Sequence, residues 1–129
     1  MDFFAEKDID QLLLINPDNP SGNFIPTEDV IALLNWGNQK KIRLILDESF
    51  VDFSTPTLKN SFLTNEILEN YPHLIIIKSI SKSYGVPGLR LGLAASSDTE
   101  VISSLRKNMA IWNINSFAEF YLQIYSKYK

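Results

Sequence analysis

The chain has 129 residues, 45% of them hydrophobic and 21% charged, with a formal charge of −3 at pH 7. That size suits one soluble domain with its own core, and the absence of cysteine excludes a disulfide scaffold or a cysteine-ligated zinc or iron–sulfur site. A slightly acidic balance with no basic block argues against a nucleic-acid surface, and the longest apolar runs, Leu12–Ile15 and Leu74–Ile77, are far too short to cross a membrane. The opening Met1-Asp2-Phe3-Phe4-Ala5-Glu6-Lys7 lacks the basic-then-apolar pattern of a secretory signal, so the expected location is the cytoplasm.

In chain order, Leu12–Ile15 is the first predicted strand and ends in a turn cluster, Asn16-Pro17-Asp18-Asn19-Pro20-Ser21-Gly22. A helix follows, with Thr27 as N-cap, Glu28 and Asp29 at its positive end, Val30, Leu33 and Leu34 at helical spacing, and Gly37 as its stop. Ile42–Leu46 is the second strand and ends in Asp47-Glu48. Thr64–Asn70 is a short helix closed by Pro72, and Leu74–Ile77 is the third strand, ending at Lys78-Ser79-Ile80-Ser81-Lys82. Gly85, Pro87 and Gly88 hold a loop before a fourth strand, Leu89–Ala95. Two capping boxes, Ser97 with Glu100 and Ser116 with Glu119, open two final helices.

Short apolar runs without alternation read as strands buried on both faces, as in a parallel sheet. The third and fourth strands are only about ten residues apart, whereas a parallel pair needs a crossover of a dozen or more. The expected fold is therefore α/β: a mixed, mostly parallel sheet of about four strands, one of them antiparallel, flanked by helices.

Ligands of open parallel sheets bind at the carboxyl ends of the strands. The first strand delivers Asn19 there, the second Asp47, and the third Ser79, Ser81 and Lys82. Arg90 opens the reversed fourth strand and so lies beside the end of the third. An amine attacks a carbonyl to form a Schiff base, a buried carboxylate keeps a heterocyclic nitrogen protonated, and hydroxyls with an arginine hold a phosphate. Pyridoxal 5′-phosphate, with its aldehyde, pyridine nitrogen and phosphate, uses every one of these groups.

Each motif alone has a plainer explanation: a turn, a solvated strand end, a surface lysine, an edge arginine. Together and in order, Asn16–Gly22, Asp47-Glu48-Ser49-Phe50 and Ser79-Ile80-Ser81-Lys82-Ser83-Tyr84-Gly85-Val86-Pro87-Gly88-Leu89-Arg90-Leu91-Gly92 resemble the motifs of class I/II, fold-type I aminotransferases. The resemblance is to the histidinol-phosphate aminotransferase and threonine-phosphate decarboxylase branch. It runs from about Leu12 to Ala95, with a similar look at Trp112-Asn113-Ile114-Asn115.

The resemblance implies that Lys82 bonds the cofactor's aldehyde carbon and later moves the substrate's Cα proton. It implies that Asp47 partners the pyridinium nitrogen, that Asn19 donates to the phenolic oxygen, and that Ser79, Ser81 and Arg90 hold the phosphate. Phe50 stands where the family usually has a tyrosine whose hydroxyl also donates to the phenolic oxygen; the phenyl ring leaves that bond unmade.

Family members are several times longer, so residues 1–129 are expected to be an internal piece of the large domain, without its N-terminal part or small domain. Such a piece would expose apolar surface and lack activity by itself. The implied substrates are an amino acid, possibly phosphorylated, and a 2-oxo acid, and the implied parent is a homodimer. A decarboxylase or lyase on the same scaffold, and a non-enzymatic sensor module, are the competing readings. A nucleotide-binding domain ranks last, because the glycine-rich phosphate loops are missing.

Overall fold

The computed structural model describes residues 2–54 and 61–128. After one helical turn, α1 (Asp2–Ala5), come β1 (Gln11–Ile15), α2 (Thr27–Lys40) and β2 (Arg43–Asp47). A 3-10 turn at Val51–Phe53 and the short α3 (Asn65–Asn70) lead into β3 (Leu74–Ser79). A single-turn α4 (Ile80–Ser83), a second 3-10 turn at Pro87–Leu89, β4 (Gly92–Ala95), α5 (Thr99–Asn108) and α6 (Ser116–Tyr125) complete the order.

The strands form one sheet in the order β1-β2-β3-β4. β1, β2 and β3 are mutually parallel, and β4 runs antiparallel to β3 with Gly92 opposite Ser79. The expected mixed sheet is therefore present. The β3–β4 connection does contain a helix, but α4 is one turn long and provides no crossover.

One face of the sheet carries the core. Leu44 and Leu46 of β2 and Leu74 and Ile76 of β3 are buried against Val30 and Leu34 of α2 and against Phe62. Val30, Leu34 and Gly37 form the buried stripe of α2, at helical spacing. Fully burying one such aliphatic side chain stabilises by about 1.5–3 kcal/mol. The opposite face is open at β1, where Leu13 is 58% exposed. Strands buried on both faces were the expectation, and β1 departs from it because the described residues cover only one side of that strand.

Several element ends differ from the sequence reading. Pro26 takes the N-cap position of α2, and Thr27 is its first residue, without a side-chain capping bond. Gly37 does not stop α2, which continues to Lys40 and ends at a left-handed Lys41. A Cβ at Gly37 would lie 3.2 Å from the Ile42 carbonyl oxygen, so this glycine permits a close approach of backbone rather than a helix end. The two predicted capping boxes are likewise one residue out of place. Asp98 caps α5 by accepting from the Glu100 and Val101 amides, while the Ser97 hydroxyl donates to the Leu68 carbonyl. Asn115, rather than Ser116, caps α6. β4 begins at Gly92 because Pro87–Leu89 coils into a 3-10 turn and Arg90 turns left-handed, with φ 57°.

Candidate active site

Asp47 ends β2, in register with Ile15 on one side and Ile77 on the other. The ladder runs one residue further, since the Asn16 amide donates to the Asp47 carbonyl at 3.0 Å and the Glu48 amide to the Ile77 carbonyl at 2.9 Å. Beyond it the chain turns on side chains. The Asp47 Oδ1 accepts from the Ser49 amide at 2.8 Å, and the Ser49 hydroxyl accepts from the Ser79 amide at 3.0 Å. Two hydrogen bonds thus connect the ends of β2 and β3.

Asn19 sits exposed on the loop after β1, and the buried Asn16 closes the base of that loop. The Asn16 Nδ2 donates to the Ile25 carbonyl at 3.0 Å, and its Oδ1 accepts from the Ile25 amide at 2.8 Å. The Ser21 hydroxyl donates to Asp18 Oδ2 at 2.5 Å, and Gly22 supplies the left-handed turn at φ 73°. Asn19 lines a cleft of about 590 Å³ together with Phe24, Phe50 and Phe53.

Lys82 projects from α4 with its Nζ 4.6 Å from the centroid of the Phe50 ring. Phe50, just after β2, and Lys82, just after β3, therefore meet at the strand ends. Ser79 and Arg90 line a second cavity, of about 710 Å³, which Ser49 also borders. The Arg90 guanidinium makes only a 3.5 Å contact to the Pro87 carbonyl, and the Ser79 hydroxyl makes no hydrogen bond among the described residues. Both donors remain available to an anion.

Ser81 is placed differently. It is buried, and its hydroxyl donates to the Leu91 carbonyl at 3.0 Å while accepting from the Leu91 amide at 2.6 Å. Its bonding is spent on bracing the residue after Arg90. Tyr84 packs against Tyr125 with ring centroids 4.7 Å apart and the rings tilted at 60°, and the Asn115 Nδ2 donates to the Leu89 carbonyl at 2.9 Å. These two contacts hold α6 against the loop that carries Arg90.

Glu48 follows Asp47 but turns into the core, where it is almost fully buried and accepts from the Ser61 hydroxyl and the Phe62 amide, each at 2.6 Å. Burial pushes its carboxyl above the ordinary range, outweighing those hydrogen bonds and the Lys78 charge, which pull it down. A carboxyl raised in the folded state favours folding most below its unfolded pKa. That contribution is lost as pH rises through the folded-state value. Glu48→Gln is therefore expected to gain stability relative to the native protein as pH rises from about 4 towards 7. Denaturant midpoints measured across that range check this, and a difference that does not change with pH contradicts it.

Asn16, Ser49 and Glu48 position the site, and none was singled out from sequence. The need to satisfy the backbone of a loop that returns to its own base was the available signal for Asn16. Ser49 and Glu48 act on partners distant in sequence, at Ser79, Ser61 and Phe62, and had no local signal.

Residues 4–123 match the model of the family described as aminotransferase class I and II. The chain belongs to this aminotransferase family. It is 35% identical to the L-serine phosphate decarboxylase of Sulfurospirillum multivorans over 128 residues, covering 95% of this chain and 31% of that protein. Among solved structures, the histidinol-phosphate aminotransferase from Clostridium acetobutylicum is similar at a TM-score of 0.75 and 34% identity, covering 87% of this chain and 33% of that one. The histidinol-phosphate aminotransferase from Sinorhizobium meliloti, solved in complex with pyridoxal-5′-phosphate, is similar at a TM-score of 0.66 and 26% identity, covering 84% and 28%.

The chain spans 19% to 32% of the length of the curated relatives it matches. Pyridoxal phosphate is the family's cofactor, and the donor set at these strand ends fits it: an amine, a carboxylate, an amide, and a hydroxyl and guanidinium open to a phosphate. No helix among the described residues is long and apolar enough to cross a membrane.

Proposed function

We propose that the protein containing this chain transaminates an amino acid or a phosphorylated amino alcohol such as histidinol phosphate, exchanging its amino group with a 2-oxo acid. The observation that carries the reading is the Lys82 amine leaning over Phe50, at the strand ends where Asp47 and Ser79 are also joined through Ser49. Pyridoxal phosphate, when bound, supplies an aldehyde that engages amino groups and a protonated ring that draws electrons from the bond broken at Cα. Lys82 holds the cofactor at its aldehyde carbon and, once released, moves the proton at the substrate's Cα. Asp47 keeps the ring nitrogen protonated, and Asn19 donates to the phenolic oxygen beside Phe50. Ser79 and Arg90 grip the phosphate, while Ser81 braces the Arg90 loop through Leu91.

Residues 1–129 form an internal piece of the large domain and are inactive by themselves, and the parent works as a cytoplasmic homodimer. Decarboxylation of a phosphorylated amino acid is the second reading, favoured by the similarity to the Sulfurospirillum enzyme. Both readings would use Lys82 and Asp47 and differ in which bond at the substrate's Cα is broken. Product analysis of the full-length protein separates them: transamination predicts an oxo compound and an aminated acceptor in equal amounts, decarboxylation predicts carbon dioxide and an amine, and release of neither contradicts both.

A further inference from the structure

We propose that Asp52 is a positioning residue, whose carboxylate fixes α4 against the segment after β2 and so sets the placement of Lys82 relative to Phe50 and to the bound cofactor. The inference rests on the cofactor reading above.

Asp52 lies in the 3-10 turn two residues after Phe50. Its Oδ1 accepts from the Lys78 Nζ at 2.8 Å, and its Oδ2 accepts from the Ser83 hydroxyl at 2.5 Å. Every arm of this bracket ends beside a residue of the site. Lys78 precedes Ser79, Ser83 follows Lys82, and Asp52 itself shares a turn with the segment of Phe50. The partners are 26 and 31 residues away in sequence, so one carboxylate ties together three segments that nothing local would hold in place.

α4 needs such a tie. It is four residues long and has no side-chain N-cap, and a single turn does not sustain itself. The Ser81–Leu91 pair secures it on the side of Arg90, and the Asp52–Ser83 bond secures it on the side of Phe50. Lys78 is largely buried, with 12% of its side chain exposed, so Asp52 also neutralises a charge beneath the site. Burial pushes the Asp52 carboxyl up, but the hydrogen bonds from Lys78 and Ser83 and the Lys78 charge together outweigh it and hold the carboxyl below its ordinary range. The carboxylate therefore remains ionised at neutral pH, with both oxygens accepting.

The test uses the full-length protein loaded with pyridoxal phosphate, reading cofactor affinity, visible circular dichroism of the bound cofactor, and denaturant unfolding of the cofactor-free form. Ser83→Ala removes one hydroxyl and leaves the ion pair intact. It is expected to weaken cofactor binding about fivefold, the equivalent of one hydrogen bond, and to reduce the visible dichroism while the unfolding midpoint stays put. Ser83→Thr is expected to retain both signals, and Asp52→Asn to lose more than Ser83→Ala. Native affinity and dichroism in Ser83→Ala overturn the proposal, whatever Asp52→Asn does. An equal loss in Ser83→Thr, or a loss matched by reduced stability of the cofactor-free form, overturns it as well. A native protein that gives no visible dichroism on adding pyridoxal phosphate removes the cofactor reading and this inference together, which distinguishes that failure from the others.

Discussion

Lys82→Ala in the full-length protein is expected to lower turnover by at least about 10⁴-fold, the upper range for a single positioned proton-transfer group. The expectation follows from what surrounds the amine. Lys82 is exposed on α4 and aimed over Phe50, whereas Lys78, His73 and Tyr84 are each engaged elsewhere. Lys78 is committed to Asp52 at 2.8 Å. His73 stands at the opposite end of β3, bonded through Nε2 to the Leu34 carbonyl, and burial holds its imidazole below the ordinary range. Tyr84 packs against the Tyr125 ring. Lys82→Arg keeps the charge but provides no primary amine and is expected to fail equally. Steady-state turnover measures both variants, and activity of Lys82→Ala within tenfold of native contradicts the assignment.

Asp47→Ala comes next in size, with a loss of about 10³-fold in turnover. A carboxylate held against a protonated ring nitrogen is worth about 4 kcal/mol at an effective dielectric near 20, and that energy converts to roughly three orders of magnitude in rate. The fold should tolerate the change, because among the described residues the Asp47 side chain supports only the Ser49 amide at 2.8 Å, at the very end of β2. Reduced turnover with an unchanged unfolding midpoint is the expected pair of results. A loss smaller than tenfold would show that the ring nitrogen is partnered by something else.

The features legible in the sequence were those written in short, local patterns. Four apolar runs gave four strands, and the brief connection after Lys82 dictated the antiparallel β4, because no crossover fits there. Asp47 and Lys82 stand out as candidates because each ends or closely follows a strand, where ligands of such sheets bind. Element ends were less legible, since competing residues stand side by side. Ser97 and Asp98 are both good caps, and the difference between them arises from a tertiary bond of Ser97 to Leu68. Gly37 looks like a helix terminator until the Ile42 carbonyl is seen 3.2 Å from where its Cβ would be. Ser81 and Ser79 are indistinguishable as phosphate donors in sequence, yet Leu91 occupies one hydroxyl and leaves the other open. The Asp52 bracket was invisible for the same reason, because its partners lie on β3 and α4.

Exposed apolar side chains belong to this account too. Leu13 on β1, and Ile111 and Trp112 before α6, are 58%, 91% and 90% exposed. This is the surface expected of a segment spanning a fifth to a third of its relatives' length, and it gives the proposal of an internal piece its physical form.

The central claim is that one amine, at Lys82, bonds the aldehyde carbon of pyridoxal phosphate at the ends of the sheet's strands. Reduction of the loaded full-length protein with borohydride, followed by digestion and mass spectrometry, tests it most directly. The account predicts a single pyridoxyl-phosphate adduct, on the peptide containing Lys82; an adduct on Lys78 or another lysine, or none at all, would contradict it.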